Sequence, residues 1–276
     1  MKFIPVHMVL SAVVLCLLVS CSNSSHDLFN GRDLSGWETW LGPNFDAVTR
    51  KWDSLNGSGL NNDPDKVFTV VQEDGESAIR ISGEHFGGIS TLDEFSNYHL
   101  TLEFKWGKTK YAPKDSASRD SGLLYHAVGP HGAADRFWMR SQEFQVQEGD
   151  CGDYWGVEGA EFDIPASLEQ GEFVYDTEAS LVEFTERTAV GRHAIKFPDG
   201  EKPTGEWNVL ELYCVGGDAV HVVNGQVVMK LFNSRQVTTG DVTEPLTKGK
   251  IQIQSEGAEV FYRNLTVVPI NTMPSL

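Results

Sequence analysis

The stretch Gln142-Glu143-Phe144-Gln145-Val146-Gln147-Glu148 decides the fold. Successive side chains of a strand point to opposite faces of its sheet. Phe144 and Val146 therefore share one face, and Glu143, Gln145 and Gln147 share the other. A second stretch, Ile251-Gln252-Ile253-Gln254-Ser255-Glu256, repeats the pattern. Its isoleucines point one way, and Gln252, Gln254 and, by the same count, Glu256 point the other. An aliphatic row backed by a polar row is what a strand half-buried in an antiparallel sheet looks like.

Working outward, short alternating runs recur at residues 98–106, 123–128, 209–215, 219–223, 226–231, 250–254 and 260–267. Residues 68–71 and 78–81 flank Glu73-Asp74-Gly75, a hairpin signal, and Asn224-Gly225 is a tight-turn signal. No long segment keeps a helical period; residues 136–139 and 165–169 are the places for short helical turns. The expected fold is all-β, an antiparallel two-sheet jelly-roll sandwich. Two stretches, 108–118 and 149–203, are too long for hairpin turns and read as irregular loops, where binding function often sits.

The chain has 276 residues, 40% of them hydrophobic and 11% aromatic. That suffices for a sizeable core and excludes disorder. The net charge of −17 argues against nucleic acid and anionic lipid as partners of the folded surface. Residues 6–19 form a nearly unbroken apolar run after Lys2, too short to span a bilayer comfortably, and read as a signal peptide. The run ends Leu18-Val19-Ser20-Cys21, which resembles a bacterial lipobox, followed by the polar tether Ser22-Asn23-Ser24-Ser25. An ordinary secretory signal is the alternative. The expected organisation is a lipoprotein signal peptide over 1–20, a tether over 21–26 after a lipidated Cys21, and one sandwich domain over 27–276. The membrane would then be reached by the lipid anchor only, on the periplasmic or surface face of an outer membrane. Cys151 and Cys214 are read as two separate buried thiols rather than a disulfide.

Glutamine is not a favoured strand residue, so Gln145, Gln147, Gln252 and Gln254 at alternating positions stand out. A merely solvated sheet face is one reading. A polyol-binding face is the other, because amides are short donor-acceptors suited to sugar hydroxyls. Trp138, Tyr154 and Trp155 flank the Gln-rich strand and could stack on sugar rings or pack ordinarily. His126 ends an apolar run and shares a strand face with Leu124; it reads equally as a structural histidine or a functional one. His126 and Glu143 are the first-choice ligands if a divalent cation binds, although no HxH or HExxH spacing is present. A Gly-x-Ser-x-Gly nucleophile motif, a phosphate loop and a dinucleotide fingerprint are all absent. Residues 143–148 resemble the Glu-x-Asp-x-x-Glu strand of laminarinase-like retaining glycosidases. Gln145 replaces the central Asp, however, and alternation places Glu143 and Glu148 on opposite faces, against a double displacement.

A distributed resemblance covers more of the chain. Leu28-Phe29-Asn30-Gly31-Arg32-Asp33-Leu34-Ser35-Gly36-Trp37 resembles the opening signature of the 3-keto-disaccharide hydrolase family. Residues 98–106, Asp120-Ser121-Gly122-Leu123-Leu124-Tyr125-His126, Glu206-Trp207-Asn208, residues 221–225 and residues 251–265 follow in the family's order. Many members carry Asn at the position of Asp120 and Arg at that of His126, so the chain resembles a variant branch. The resemblance implies a concanavalin A-like sandwich and an exported enzyme acting on glycosides already oxidised at C3.

The chemistry so implied has a physical logic. A C3 ketone acidifies the C2 proton, and its removal allows β-elimination of the C1 substituent, after which water adds back. A base, donors for the developing O3 anion and a leaving-group acid are needed. His126 or Glu143 is expected as base and Arg140 as anion stabiliser. Gln145, Gln147, Gln254, Asp120 and His221 are the further substrate-binding candidates. A divalent metal could act as Lewis acid; if His126 or Glu143 holds it, that residue cannot also be the base. The expected partner is an oligosaccharide or glycoside substrate. A lectin-like binding lipoprotein without catalysis is the alternative function.

Overall fold

In the computed structural model, which describes residues 24–53 and 57–276, two antiparallel sheets face each other across a shared core. No helix occurs among the described residues. The smaller sheet has eight strands in the order His193–Ala194, Tyr154–Val157, Arg140–Gln147, Asp120–Val128, Lys250–Ser255, Gly87–Thr91, Trp37–Leu41, Gly59–Leu60. The larger sheet runs through Ala160–Glu169, Gln226–Thr238, Asp218–Val223, Asn208–Val215, Tyr98–Lys110, Ala258–Pro269 and Glu76–Ile81. The expected all-β sandwich is what forms.

The alternation sorts faces as the sequence requires. Phe144, Val146, Ile251 and Ile253 from the smaller sheet meet Leu100, Leu102, Phe104, Leu210 and Leu212 from the larger one. Asn208–Val215 alternates buried and half-buried residues along its whole length. Burying a side chain of this size stabilises the fold by roughly 1.5–3 kcal/mol. The turns at Asp74-Gly75 and Asn224-Gly225 have positive φ at both residues, as two-residue hairpins demand. Cys151 and Cys214 are buried and unbonded to each other, and Trp106 is a core residue.

Four expectations fail: residues 108–110 continue the strand Tyr98–Lys110, residues 136–139 form no helix, and two further readings fall within 149–203. Residues 149–203 are not one irregular loop: they hold Tyr154–Val157, Ala160–Glu169, Glu172–Tyr175, Leu181–Phe184 and His193–Ala194. Residues 165–169 belong to the strand Ala160–Glu169 rather than a helical turn. Pro165 hides this strand from a sequence reading, because proline normally argues against a paired strand. The signal peptide, Cys21 and the tether residues Ser22 and Asn23 lie outside the described residues.

Candidate active site

Opposite the core, the outer face of the smaller sheet carries the polar rows. Its register places Gly122 beside Gln145, Leu124 beside both Glu143 and Gln252, and Asp120 beside Gln147. Three loops wall in this face. The loop 129–139 is pinned where Met139 N donates to Gln252 Oε1 at 3.0 Å and Trp138 Nε1 donates to Gly87 O at 3.0 Å. Phe137 of this loop packs edge to face on Phe86 and tilted against Trp52, which itself meets Phe86 edge to face. The stretch 108–118 brings Lys114 over the sheet, and the turn before His193 brings Arg192. Together they enclose a cavity of about 230 Å³ lined by Lys114, Asp120, Asp135, Trp138, Glu143, Gln145, Gln147, Trp155, Arg192, Gln254 and Glu256, among others.

Gly122 forms the floor. A Cβ there would fall far inside contact distance of Glu143 Oε1 and Gln254 Oε1. The absence of a side chain at this strand position is what lets the carboxyl and the amide lie over the sheet. Glu143 is 6% exposed, and no hydrogen bond from the described residues reaches its carboxyl. Burial pushes its pKa well above the usual carboxylate range, and the Glu256 and Asp120 charges push the same way against Arg192 and Lys114. Lys114 Nζ bridges Asp120 Oδ2 and Glu256 Oε1. Burial raises Glu256 to about 8, aided by the Asp120 charge and opposed by Lys114. Burial raises Asp120 to about 6 against the pull of Lys114. Burial works against the Lys114 charge, but Glu256 and Asp120 outweigh it and raise its pKa. The cavity thus combines carboxyls that can hold protons near neutral pH with a fixed ammonium group.

Of the residues singled out in the sequence, Glu143, Gln145, Gln147, Gln254, Asp120, Trp138 and Trp155 converge on this cavity. His126 does not line it. A bulge between Tyr125 and Val128 breaks the alternation, and His126 takes φ +50°. Its ring packs edge-on to Tyr98 and Tyr125, and Nδ1 donates to Leu246 O at 3.0 Å. Burial lowers its pKa to about 4, so it is a neutral interior histidine. His221 likewise is buried, stacked on Phe144 at 4.1 Å and bonded to Tyr125 Oη and Gly152 O. Burial lowers it to about 3. Tyr154 is core; its hydroxyl donates to Gln142 Oε1 at 2.7 Å. Arg140 turns away, donating to Glu158 O at 2.6 Å and Gln236 Oε1 at 3.3 Å. Trp155 has His193 stacked at 4.2 Å and the Arg192 guanidinium 5.3 Å from its ring centre, so its ring is already engaged.

The expected metal pair, His126 and Glu143, does not share a site, because the bulge carries the ring away from the cavity. Among the described residues no group of three or more His, Cys, Asp or Glu is arranged to hold a metal ion. In the cavity the carboxyl groups of Asp120 and Glu256 are instead bridged by Lys114. These residues do not fit a metal centre. Glu148, the partner required by a laminarinase-like reading, pairs with Arg119 at 3.1 Å outside the cavity lining.

Sequence reasoning missed Lys114, Asp135 and Arg192, and it placed Glu256 on the polar face without making it a site residue. Lys114 comes from a stretch flagged as a binding loop, so loop length signalled it; Arg192 sits in a short turn before His193, within a stretch that is largely strand, and no motif marks it.

Comparison with known proteins identifies the family. The profile of the family described as 3-keto-alpha-glucoside-1,2-lyase-like domain matches residues 24–268. The chain belongs to the 3-keto-disaccharide hydrolase family. A 3-keto-disaccharide hydrolase-type domain supports a carbohydrate-active function with a sugar as partner. Two solved candidate glycosyl hydrolases from Parabacteroides distasonis are similar. One is 19% identical, over 90% of this chain and 94% of that one, with a TM-score of 0.47. The other is 17% identical, over 90% and 100%, with a TM-score of 0.48. A carbohydrate binding module from Bacillus subtilis is 10% identical over 73% and 91%, with a TM-score of 0.42. Comparison with curated proteins finds no match.

Proposed function

We propose that this 3-keto-disaccharide hydrolase family member cleaves glycosides already oxidised at C3, by proton abstraction at C2, β-elimination and rehydration. The observation that carries the reading is Glu143: a buried carboxyl without a hydrogen-bond partner, laid over Gly122 in a cavity lined by amides and cations. Raised basicity is what a carboxylate needs to take a carbon-bound proton.

In the proposed sequence Glu143 takes the C2 proton, and the C–H pair passes into a C2–C3 double bond while charge moves to O3. Lys114 and Arg192, rather than Arg140, are the cations lining the cavity and stabilise that oxyanion. The electron pair then returns to C3–O3, C1–C2 becomes the double bond, and the C1–O bond breaks onto the leaving oxygen. Glu256, protonated near neutral pH, supplies the proton to that oxygen. Water adds to C1, and a proton returns to C2, for net hydrolysis. No partner carboxylate across the ring is required, which accords with Glu148 lying elsewhere.

The test offers purified protein a 3-keto-disaccharide and the corresponding unoxidised disaccharide. Cleavage of the oxidised sugar alone is expected; cleavage of neither, or of only the unoxidised one, sinks the proposal. Binding with a raised melting temperature but no product would mark a lectin-like protein instead. Export and lipid anchoring at Cys21 are part of the same proposal and rest on the lipobox sequence. Replacing Cys21 by Ser should release the protein from membranes and abolish incorporation of labelled fatty acid.

A further inference from the structure

Asp120 Oδ1 and Gln254 Oε1 are buried in the cavity wall, and no donor in the described chain reaches either. The two residues are 3% and 2% exposed. Lys114 occupies only the other Asp120 oxygen, Oδ2. The remaining buried polar atoms without partners, Tyr98 Oη, His126 Nε2 and His131 Nδ1, belong to residues that do not line the cavity. A buried acceptor left unpaired is costly, so two in one small cavity call for donors from outside the chain.

Their placement is specific. Asp120 and Gly122 lie two residues apart on one strand and face the same way. Leu123 is registered with Ile253, which brings Gly122 alongside Gln254 in the neighbouring strand. The two unpaired groups therefore sit on adjacent sides of the bare patch at Gly122. At about 230 Å³ the cavity is smaller than the roughly 300–1,000 Å³ of sites for drug-sized ligands, which suits one sugar ring rather than two.

We propose that the cavity takes a single terminal pyranose ring over Gly122, with one ring hydroxyl donating to Asp120 Oδ1 and a second hydrogen-bonding the Gln254 amide. The leaving group then projects past Trp138, Trp155 and Arg192. This rests on the reading of the cavity as the site for 3-keto glycosides and adds its substrate class: glycosides whose oxidised, terminal ring keeps its neighbouring hydroxyls free. A site built around hydroxyl groups discriminates strongly against an analogue that lacks one, because its own polar groups are then left buried and unpaired.

The experiment uses the mature protein with a 3-keto-disaccharide and its three monodeoxy analogues at C2, C4 and C6 of the oxidised ring. Turnover and calorimetric binding are measured separately. Two of the three analogues should lose about 100-fold in kcat/KM and in affinity, the third less than about fivefold. In a Gln254→Leu variant one of the two penalties should vanish, because the deleted hydroxyl has lost its partner already. Losses below fivefold for all three analogues, or unchanged penalties in Gln254→Leu, overturn the inference even if the parent sugar is cleaved. Binding that shows the two-hydroxyl pattern without any cleavage supports the inference while refuting the proposed reaction. Absence of both binding and cleavage overturns both.

Discussion

Gln142 and Gln254 carry the same amide, on strands that flank Asp120–Val128 in one sheet, yet they serve opposite ends. Gln142 points inward. Its amide nitrogen donates to Glu161 O, Ser234 Oγ and Arg235 O, and its oxygen accepts from Tyr154 Oη. Gln254 points outward into the cavity, and its amide has no such partners. One region spends its polarity on holding the sandwich together, and the other leaves it open. His126 and His221 fall with Gln142 on the satisfied or interior side; Glu143, Asp120 and Glu256 fall with Gln254. Residue type does not separate these sets. What separates them is whether each side chain faces the interior or the cavity.

The sharpest way to break the comparison is to exchange the chemistry of the open side. Glu143→Gln should lower kcat by about 1,000-fold, in the range for removing a general base. Its melting temperature should stay level or rise, since a buried carboxyl without partners is replaced by a neutral amide. A melting temperature that collapses would place Glu143 with the structural set instead.

Gly122→Ala comes next. The added methyl overlaps Glu143 and Gln254 oxygens, so kcat/KM should drop by roughly tenfold to 100-fold while the fold persists, because both groups are side-chain ends that can shift. Unchanged kinetics would show that the floor is not part of the site.

On the satisfied side, Gln142→Leu removes the partner of several buried groups at once and should destabilise by about 3 kcal/mol, read from chemical denaturation. Activity per folded molecule should hold. Loss of kcat at constant stability would blur the boundary between the two regions.

The pH profile sharpens the contrast further. Glu143 must be ionised to act as base, and burial raises its pKa, so kcat/KM should fall on acidification well above the usual carboxylate range. Glu256 must hold its proton, so the rate should decline above about pH 8. A profile flat from pH 5 to 9 would contradict these assignments.

The smallest effect concerns the interior histidines. The folded pKa values of His126, about 4, and His221, about 3, lie below the ordinary 6.5. The unfolded chain therefore binds these protons first, and their stabilisation, complete above pH 6.5, is lost as pH falls toward 4 and 3. Ring proton resonances of both should not titrate above pH 5. His126→Asn should leave kcat/KM within about threefold, since the ring does not reach the cavity; a larger loss would return His126 to the site.

Much of this was legible beforehand. Phe144, Val146, Ile251 and Ile253 declare their face by alternation, and the same count places Glu143, Gln145, Gln147, Gln254 and Glu256 opposite. What escaped depends on breaks in local regularity. The bulge after Tyr125 turns His126 inward although its parity with Leu124 predicts the other face. Arg140 begins its strand but reaches sideways to Glu158 and Gln236. Lys114 and Arg192 enter from loops whose course no periodicity encodes.

The sequence by itself determined the all-β sandwich, the partition of its strands into aliphatic and polar faces, and the family, because a two-residue period and turn chemistry are local properties of the chain. Only the tertiary structure decided which polar residues face a cavity and which are consumed inside the fold. The reason is that a hydrogen bond needs both partners in place, and partners such as Ser234 for Gln142 and Lys114 for Glu256 lie 92 and 142 residues away along the chain.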